Sequence, residues 1–457
     1  MYESLKISNK DDVHIYITAT TSAFLKNNKG ILEDLFYKSL LAKAGKYPLF
    51  DLQSELLGAI ITGDKARKKY VNLEAQRAKS LKKLIETKSS INKIKHSQRL
   101  LDSMKNYSES ARLFVAQLRS IGDGVAWRFL NYDRAALRIL AEHQYIPPPE
   151  MGRGLLAEIE KFARFASKGQ PVIMNSITNF LRVGDLTVYD ESSGKYDLIE
   201  VKAGNSRTLR TIRQSYHRDV VQKALDNGYH TIFPDIPITI IMSRYPLLTY
   251  VKSLERAMSE AEHSFGSSRK FGEHFSMAVF SLQKLRKLPE NESTRISEQI
   301  MDRLFSIRRK PNDILIGPIN NIFLTVHFSR IIAPYTIFPI HPKYRIALLS
   351  GDYLIFFLFN LSGFVRWLKK RGWEATEIVP SADPPTSHKW NNMPRMRFWK
   401  HNNPKLAEVG ADLFHLAVAE LWMPQSIEQD LITILEQLPS QSGYSINHPN
   451  KGKCAWH

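Results

Sequence analysis

The eighteen residues from Asp185 to Lys202 constrain this chain more than any other part of it. Two runs rich in β-branched and aromatic residues, Phe180 to Tyr189 and Tyr196 to Lys202, flank Asp190-Glu191-Ser192-Ser193-Gly194-Lys195, which has turn composition. That pattern predicts a β-hairpin. With the turn centred between Ser192 and Ser193, paired residue numbers sum to 385, which sets Asp185 opposite Glu200. Directly opposed residues on one face have Cβ atoms about 5 Å apart. Strand side chains alternate with period two, so Glu200 and Lys202 share a face and Ile199 and Val201 point to the other. Two carboxylates and an ammonium then converge on one patch.

That set of groups suits a hard cation. Mg²⁺ takes carboxylate oxygens and keeps several waters. A bound divalent ion lowers the pKa of a coordinated water and stabilises charge developing on a phosphate. A lysine alongside can orient the water or neutralise the phosphate. The plain alternative is an exposed hairpin with surface charges. Against it, Leu198-Ile199-Glu200-Val201-Lys202 is an apolar strand end, where charge is costly unless it has a use.

The arrangement Asp185…Glu200-Val201-Lys202, with Gly184 before the aspartate and Ala203-Gly204 after the lysine, resembles the PD-(D/E)xK nuclease superfamily. The resemblance covers about residues 152–242. It implies a restriction-endonuclease-like α/β core with a mixed sheet, and an Mg²⁺-dependent nuclease for which Mn²⁺ could substitute. Asp185 and Glu200 would hold metal, with Val201 also among the metal residues, and Lys202 would be the catalytic lysine. The family also carries a carboxylate on the helix before its first strand. Residues 154–166 read as that helix, with Leu155, Ile159, Phe162 and Ala166 in one apolar stripe. Glu158 lies nearer the stripe than Glu160, and is taken as a catalytic and metal residue. The alternative is that both are solvated surface glutamates.

Downstream, a helix running to about Asn227 carries Arg207, Arg210, Arg213, Gln214 and Arg218. Arg207, Arg210 and Gln214 share a face, and with Arg213 they form the expected nucleic-acid-binding set. Some branches of the superfamily place Tyr four residues after this glutamine; here that position is Arg218.

A net charge of +19 and pI near 9.7 favour anionic partners, nucleic acid first. Nearly half of the excess lies between Asp64 and Arg99, where twelve Lys/Arg face only Asp64, Glu74 and Glu86. Leu73, Leu81, Leu84, Ile91, Ile94 and Leu101 make a thin apolar line there without a sustained heptad. A long amphipathic helix or an antiparallel hairpin is expected, serving as a nucleic-acid-gripping or partner-binding arm, or simply as a solvated basic face. A second helix is expected from Gly122 to His143, ending before a linker at Pro147-Pro148-Pro149.

Three segments follow: a helical region over 1–145, the nuclease-like core over 150–245, and a mixed α+β region over 246–457. In the last, Ile322–Val326 reads as a strand and Leu413–Leu421 as a helix. The run from Ile346 to Val365 is apolar but contains Asp352, which disfavours a membrane span. A strand at Ile346–Leu349, a cap at Asp352 and a buried helix to about Arg371 are expected instead. Trp390, Arg395, Arg397, Phe398, Trp399 and Lys400 could stack on bases, though packing within the domain is the stronger reading. His341, His388, His401 and His415 lack metal-ligand spacing. The single cysteine, Cys454, fits a reducing compartment, and no secretory pattern opens the chain, so a cytoplasmic site is expected.

The function expected is metal-dependent hydrolysis of DNA phosphodiester bonds, endo- or exonucleolytic, in bacterial defence against phage or mobile elements, with self-association or a protein partner through the basic arm as a further expectation. The alternative is a non-catalytic nucleic-acid- or partner-binding protein that uses the fold as a platform.

Overall fold

The structure, a computed structural model, describes residues 23–141, 153–181, 183–201, 209–226, 231–233, 236–242, 245–307, 314–316, 332–378, 395–400, 403–437 and 443–447. The chain begins with helices α1 (Ala23–Lys43), α2 (Leu49–Glu86), α3 (Ile91–Phe129), α4 (Arg134–Ala141) and α5 (Arg153–Ser167). Strands β1 (Val172–Met174), β2 (Leu186–Asp190) and β3 (Lys195–Ile199) follow, then α6 (Leu209–Asp226), β4 (Thr231–Phe233) and β5 (Ile236–Met242). Next come α7 (Val251–His263), β6 (Gly266–Phe271), β7 (Phe275–Ser281), α8 (Leu282–Leu285), α9 (Glu290–Phe305) and β8 (Ile314–Ile316). The remainder comprises α10 (Pro342–Leu349), β9 (Tyr353–Phe359), α11 (Leu361–Lys369), β10 (Trp373–Ile378), β11 (Arg395–Lys400) and β12 (Asn403–Gly410). It closes with α12 (Ala411–Ala419), α13 (Pro424–Gln437) and β13 (Gly443–Asn447). The protein is thus a mixture of helices and small sheets.

Two compact units form rather than three consecutive segments. One holds the described residues through 126 together with 153–222; the other holds 127–141 and 223–447. The basic helices and the hairpin therefore belong to the same unit.

In that unit α2 and α3 form the antiparallel hairpin, the second of the two shapes expected for the basic arm. No Gly or Pro interrupts residues 64–121, so both helices run long. Between them, Lys88 adopts a left-handed conformation (φ 50°) and Ser89 N–H donates to Leu84 O at 3.0 Å, a Schellman-type ending. Tyr70 stacks on Tyr107 with centroids 5.0 Å apart. Gly63 meets Phe114 and Val115 closely, where a Cβ would lie 2.9 Å from the Val115 side chain. The expected helix from Gly122 to His143 is instead two helices. The chain breaks between α3 and α4, where Asn131 and Tyr132 take positive φ.

The hairpin β2–β3 forms in the expected register: Leu186 pairs with Ile199, Thr187 with Leu198 and Val188 with Asp197. Strand β1 adds antiparallel to β2, giving the order β1-β2-β3. Both outer edges of this sheet are closed by glutamine side chains. On β1, Gln53 Nε2 donates to Val172 O (2.9 Å) while Gln53 Oε1 accepts from Met174 N–H (2.9 Å). On β3, Gln222 Nε2 donates to Tyr196 O (2.8 Å) and its Oε1 accepts from Leu198 N–H (3.0 Å). Each amide thus offers a donor and an acceptor to alternate residues, as a neighbouring strand would.

The strand expected near Ile238–Met242 exists as β5, but it does not join this sheet. It pairs parallel with β13 and antiparallel with β4. The sheet that carries the hairpin is, among the described strands, wholly antiparallel.

In the other unit the four-stranded sheet runs β6-β7-β9-β8. Every residue of β9 is buried, which explains its unbroken apolar sequence. The expectation for 346–371 is corrected: Ile346–Leu349 ends helix α10, the apolar heart is a strand, and α11 is capped by Asn360, whose Oδ1 accepts from Gly363 N–H at 2.8 Å. No helix among the described residues is long and apolar enough to cross a membrane. In β11, Met396 and Phe398 are buried and Arg397 pairs with Glu408 at 2.6 Å, so Arg395–Lys400 packs within its own domain. Arg134 is bound by Glu420, which also accepts from Trp422 Nε1 (3.0 Å) and Ala333 N–H (2.8 Å). Trp390, His388, His401 and Ile322–Val326 lie outside the described residues, as do Pro147–Pro149.

Candidate active site at a carboxylate corner

Helix α5 turns Leu155, Glu158 and Phe162 inward, at i, i+3 and i+7. Phe162 stacks on Phe50 of α2, with centroids 5.0 Å apart, and this fixes the helix against the unit's core. Glu158 is carried in between two apolar side chains and is left 8% exposed. Glu160, on the outer face, pairs with Arg164 in solvent. Of the two glutamates, Glu158 is therefore the inward one and Glu160 the outward one.

The Ser176 hydroxyl donates to Glu158 Oε1 at 2.8 Å. Burial, followed by the negative charges of Asp185 and then Glu200, pushes the Glu158 carboxyl up to about 8, outweighing the Ser176 bond. Asp185 is also held above the usual carboxylate range. Burial is the cause, opposed by the Val201 N–H that donates to Asp185 Oδ2 at 2.6 Å.

The corner that aims Asp185 is built from backbone. Gly184 has φ +72°, and a Cβ there would stand 3.0 Å from Ile199 O. Glycine alone combines that conformation with so close an approach. Asp185 N–H then donates to the same Ile199 carbonyl at 2.8 Å, just beyond the last regular pair. Continuing the register by one residue sets Asp185 level with Glu200, which is half-buried.

Asn175 clamps this corner from the turn after β1. Its side-chain Nδ2 donates to Val183 O (2.8 Å) and Gly184 O (3.1 Å), while Oδ1 accepts from Thr187 Oγ1 (2.9 Å). Its backbone N–H donates to Asp185 O (2.9 Å). The next residue, Ser176, holds Glu158. One short turn thus positions both buried acids.

Helix α3 supports the same loop from the other side. Asp123 Oδ1 accepts from Asn179 N–H at 2.6 Å and Oδ2 from Asn179 Nδ2 at 2.7 Å. Gly122 lies against Ile177 O so closely that a Cβ would sit 2.1 Å away.

Asn175, Ser176 and Gln53 escaped sequence reasoning. Gln53 left a trace: it is a polar residue within the apolar stripe Leu52, Leu56, Leu57 and Ile60. Asn175-Ser176 is only a polar pair after an apolar run, and nothing local marks it out.

Asp185 and Glu200 are thus each brought within electrostatic reach of Glu158, with Val201 bonded to Asp185. Lys202 and Arg207 lie outside the described residues. Arg210, Arg213 and Gln214 lie along α6, whose backbone alone is described at those positions. Among the described residues, no group of three or more His, Cys, Asp or Glu stands ready-made to hold an ion. A hard divalent ion does not need three, because Mg²⁺ is commonly held by one or two carboxylates and its own waters. The donor set fits such an ion: all oxygens, with two buried acids raised by burial and no cationic side chain bonded to Glu158 or Asp185 among the described residues.

No family model, no characterised protein and no solved structure matches the chain.

Proposed function

We propose that the protein is a metal-dependent nuclease that hydrolyses phosphodiester bonds of DNA, with a restriction-endonuclease-like active site. The observation that carries this reading is the convergence of Glu158, Asp185 and Glu200 from a helix and the two arms of a hairpin, in surroundings that disfavour the negative charge of Glu158 and Asp185. Asp185 and Glu200 would hold the ion, with Glu158 behind them. When bound, a divalent ion supplies a water of lowered pKa and positive charge beside the scissile phosphate. Lys202, two residues beyond Glu200, is assigned to orient the attacking water. Asn175 and Ser176 keep the two buried acids aimed at one point. The high Glu158 pKa lets this residue retain a proton near neutral pH until a cation draws it off. Antiviral defence in a bacterial cytoplasm is the setting proposed from the resemblance.

Purified protein incubated with supercoiled plasmid, linear DNA and RNA, in Mg²⁺, Mn²⁺ or EDTA, tests the proposal. Cleavage of DNA with metal and none in EDTA is expected. Asp185→Ala, Glu200→Gln and Lys202→Ala should each lose it. Wild-type-like cleavage by Asp185→Ala would overturn the assignment. Nucleic acid bound but uncut under every metal condition would favour the non-catalytic platform.

A further inference from the structure

We infer that the far half of the α2–α3 hairpin is a sequence-independent grip on the phosphate backbone of duplex nucleic acid. This rests on the nuclease reading above and names how its substrate is held. With Tyr70 level with Tyr107, and Gly63 against Phe114, residue numbers at one level of the hairpin sum to about 177. Between Arg77 and Arg99, Glu86 is the only acidic residue. Arg77, Lys79 and Lys83 on α2, and Lys93, Lys95 and Arg99 on α3, are all exposed. None of the six has an acidic partner among the described residues, whereas nearer the base Arg67 and Lys68 share Asp64. Cations are thus partly answered nearer the base, by Asp64, and these six are not. By the same numbering Lys82, whose ammonium lies 3.9 Å from Glu86, stands level with Lys95, so two like charges sit at one height of the hairpin. That arrangement is unfavourable in the isolated chain and is relieved by a polyanion.

The chemistry also selects the form of nucleic acid. No Phe, Tyr or Trp occurs between Arg77 and Arg99. Single strands are held by stacking bases on aromatic rings, and this surface has none. Lysines dominate it, and a lysine acts on phosphate as a point charge without the fork that reads a base edge. At about 1.5 Å per residue the basic stretch of each helix is some 10 Å long. A duplex presents one phosphate charge per ~1.7 Å of its axis, so such a stretch can meet several phosphates at once. Through Gln53, the same α2 that carries the grip also closes the edge of β1.

The test uses full-length protein carrying Asp185→Asn, so that binding is read without cleavage. Fluorescence anisotropy is measured on a 30-base-pair duplex of random sequence and on a 30-nucleotide oligo-dT, from 50 to 300 mM salt. A second protein adds Lys79→Glu, Lys83→Glu, Lys93→Glu and Lys95→Glu; a third replaces the same four with Gln. Circular dichroism confirms that the helices persist in each.

The expected result is duplex binding weakened at least tenfold by Glu and less by Gln. The slope of log K against log[salt] should flatten by about 0.9 for each phosphate that the variant no longer neutralises. Wild-type binding to oligo-dT should be the weaker of the two. Unchanged affinity and slope, or preference for the single strand, overturns the inference. So does a change confined to sedimentation, which would make the surface a protein–protein interface. Failure of the nuclease reading stays distinguishable: arm-dependent binding with no cleavage under any metal refutes the nuclease alone, and cleavage with an arm-independent KM refutes the arm alone.

Discussion

The protein buries carboxylates in two ways. In the unit formed by 127–141 and 223–447, Glu420 is fully buried but answered within the chain by the Arg134 guanidinium, the Trp422 indole and a backbone amide. Arg134 is itself flanked by the rings of Trp127 and Trp422 at 5.2 and 5.7 Å. Glu428 is treated alike, accepting from Arg371 Nε at 2.8 Å and Trp373 Nε1 at 2.9 Å. At the carboxylate corner, by contrast, Glu158 receives one serine hydroxyl and Asp185 one backbone N–H. The chain can neutralise a buried acid, and at this corner the described residues do not. The first kind is held by bonded cations and indoles; the second has no bonded cation among the described residues.

The sharpest way to break this contrast is Asp185→Asn. Asparagine keeps an oxygen for the Val201 N–H but loses the charge. DNA cleavage should fall at least 10³-fold, about 4 kcal/mol in the barrier, while the melting temperature in EDTA does not drop. A melting temperature lowered by several degrees would make Asp185 structural like Glu420.

The converse change is Arg134→Met, which strands Glu420. Removing one partner of a buried pair costs roughly 3–5 kcal/mol, read as a lower urea midpoint. A loss below about 1 kcal/mol would erase the distinction between the two regions.

Proton linkage gives an effect that is smaller over any one pH unit and more specific. Glu158 rises from its ordinary 4.5 to about 8 on folding, so between those values the folded protein keeps a proton that the unfolded chain has released. Metal-free wild type should therefore lose stability as pH rises through that window, by up to about 1.4 kcal/mol per pH unit, relative to Glu158→Gln. Below 4.5 and above about 8 the two should run parallel. Urea midpoints in EDTA across acid, neutral and mildly alkaline buffers measure it. Parallel profiles throughout would show Glu158 to be ionised and compensated.

The smallest effect expected is at Gly184. Gly184→Ala places a Cβ against Ile199 O in a left-handed backbone, which should cost about 1–2 kcal/mol and reduce cleavage roughly tenfold by tilting Asp185. Gly194→Ala has similar backbone strain (φ +68°) at the hairpin turn, where a Cβ would meet only the Tyr189 hydroxyl at an ordinary 4.0 Å, and should leave cleavage unchanged. Equal losses of cleavage from both would detach Gly184 from the site.

What could be read from the sequence was local. The hairpin register followed from a six-residue turn and strand alternation, and Glu158 from a helical stripe, because each depends on neighbours within a few positions. The strand at Ile346–Leu349 was misread because a short apolar run suits strand and helix equally; the decision fell to long-range pairing of β9 with β7 and β8. Strand β5 gave no sign that its parallel partner is β13, some two hundred residues away. Gln53 and Asn175 work through bonds to distant segments, and no local pattern records such partners. The division into segments differs for the same reason, since α2 and α3 pack onto strands and loops far along the chain, through Gln53 to Val172 and through Ala116 to Asn179.

The two glutamines at the sheet margins have a consequence for the life of the chain. An open strand edge is a template on which another strand can assemble. Gln53 and Gln222 occupy the edge groups of β1 and β3 with side chains that cannot propagate a ladder, so among the described residues the sheet ends at three strands. A fragment trimmed to residues 150–245 alone would lose α2, and with it the stopper on β1. Such a fragment would be a seed for aggregation, so shortening this protein to the segment that carries its acids removes the part that keeps it from sticking to itself.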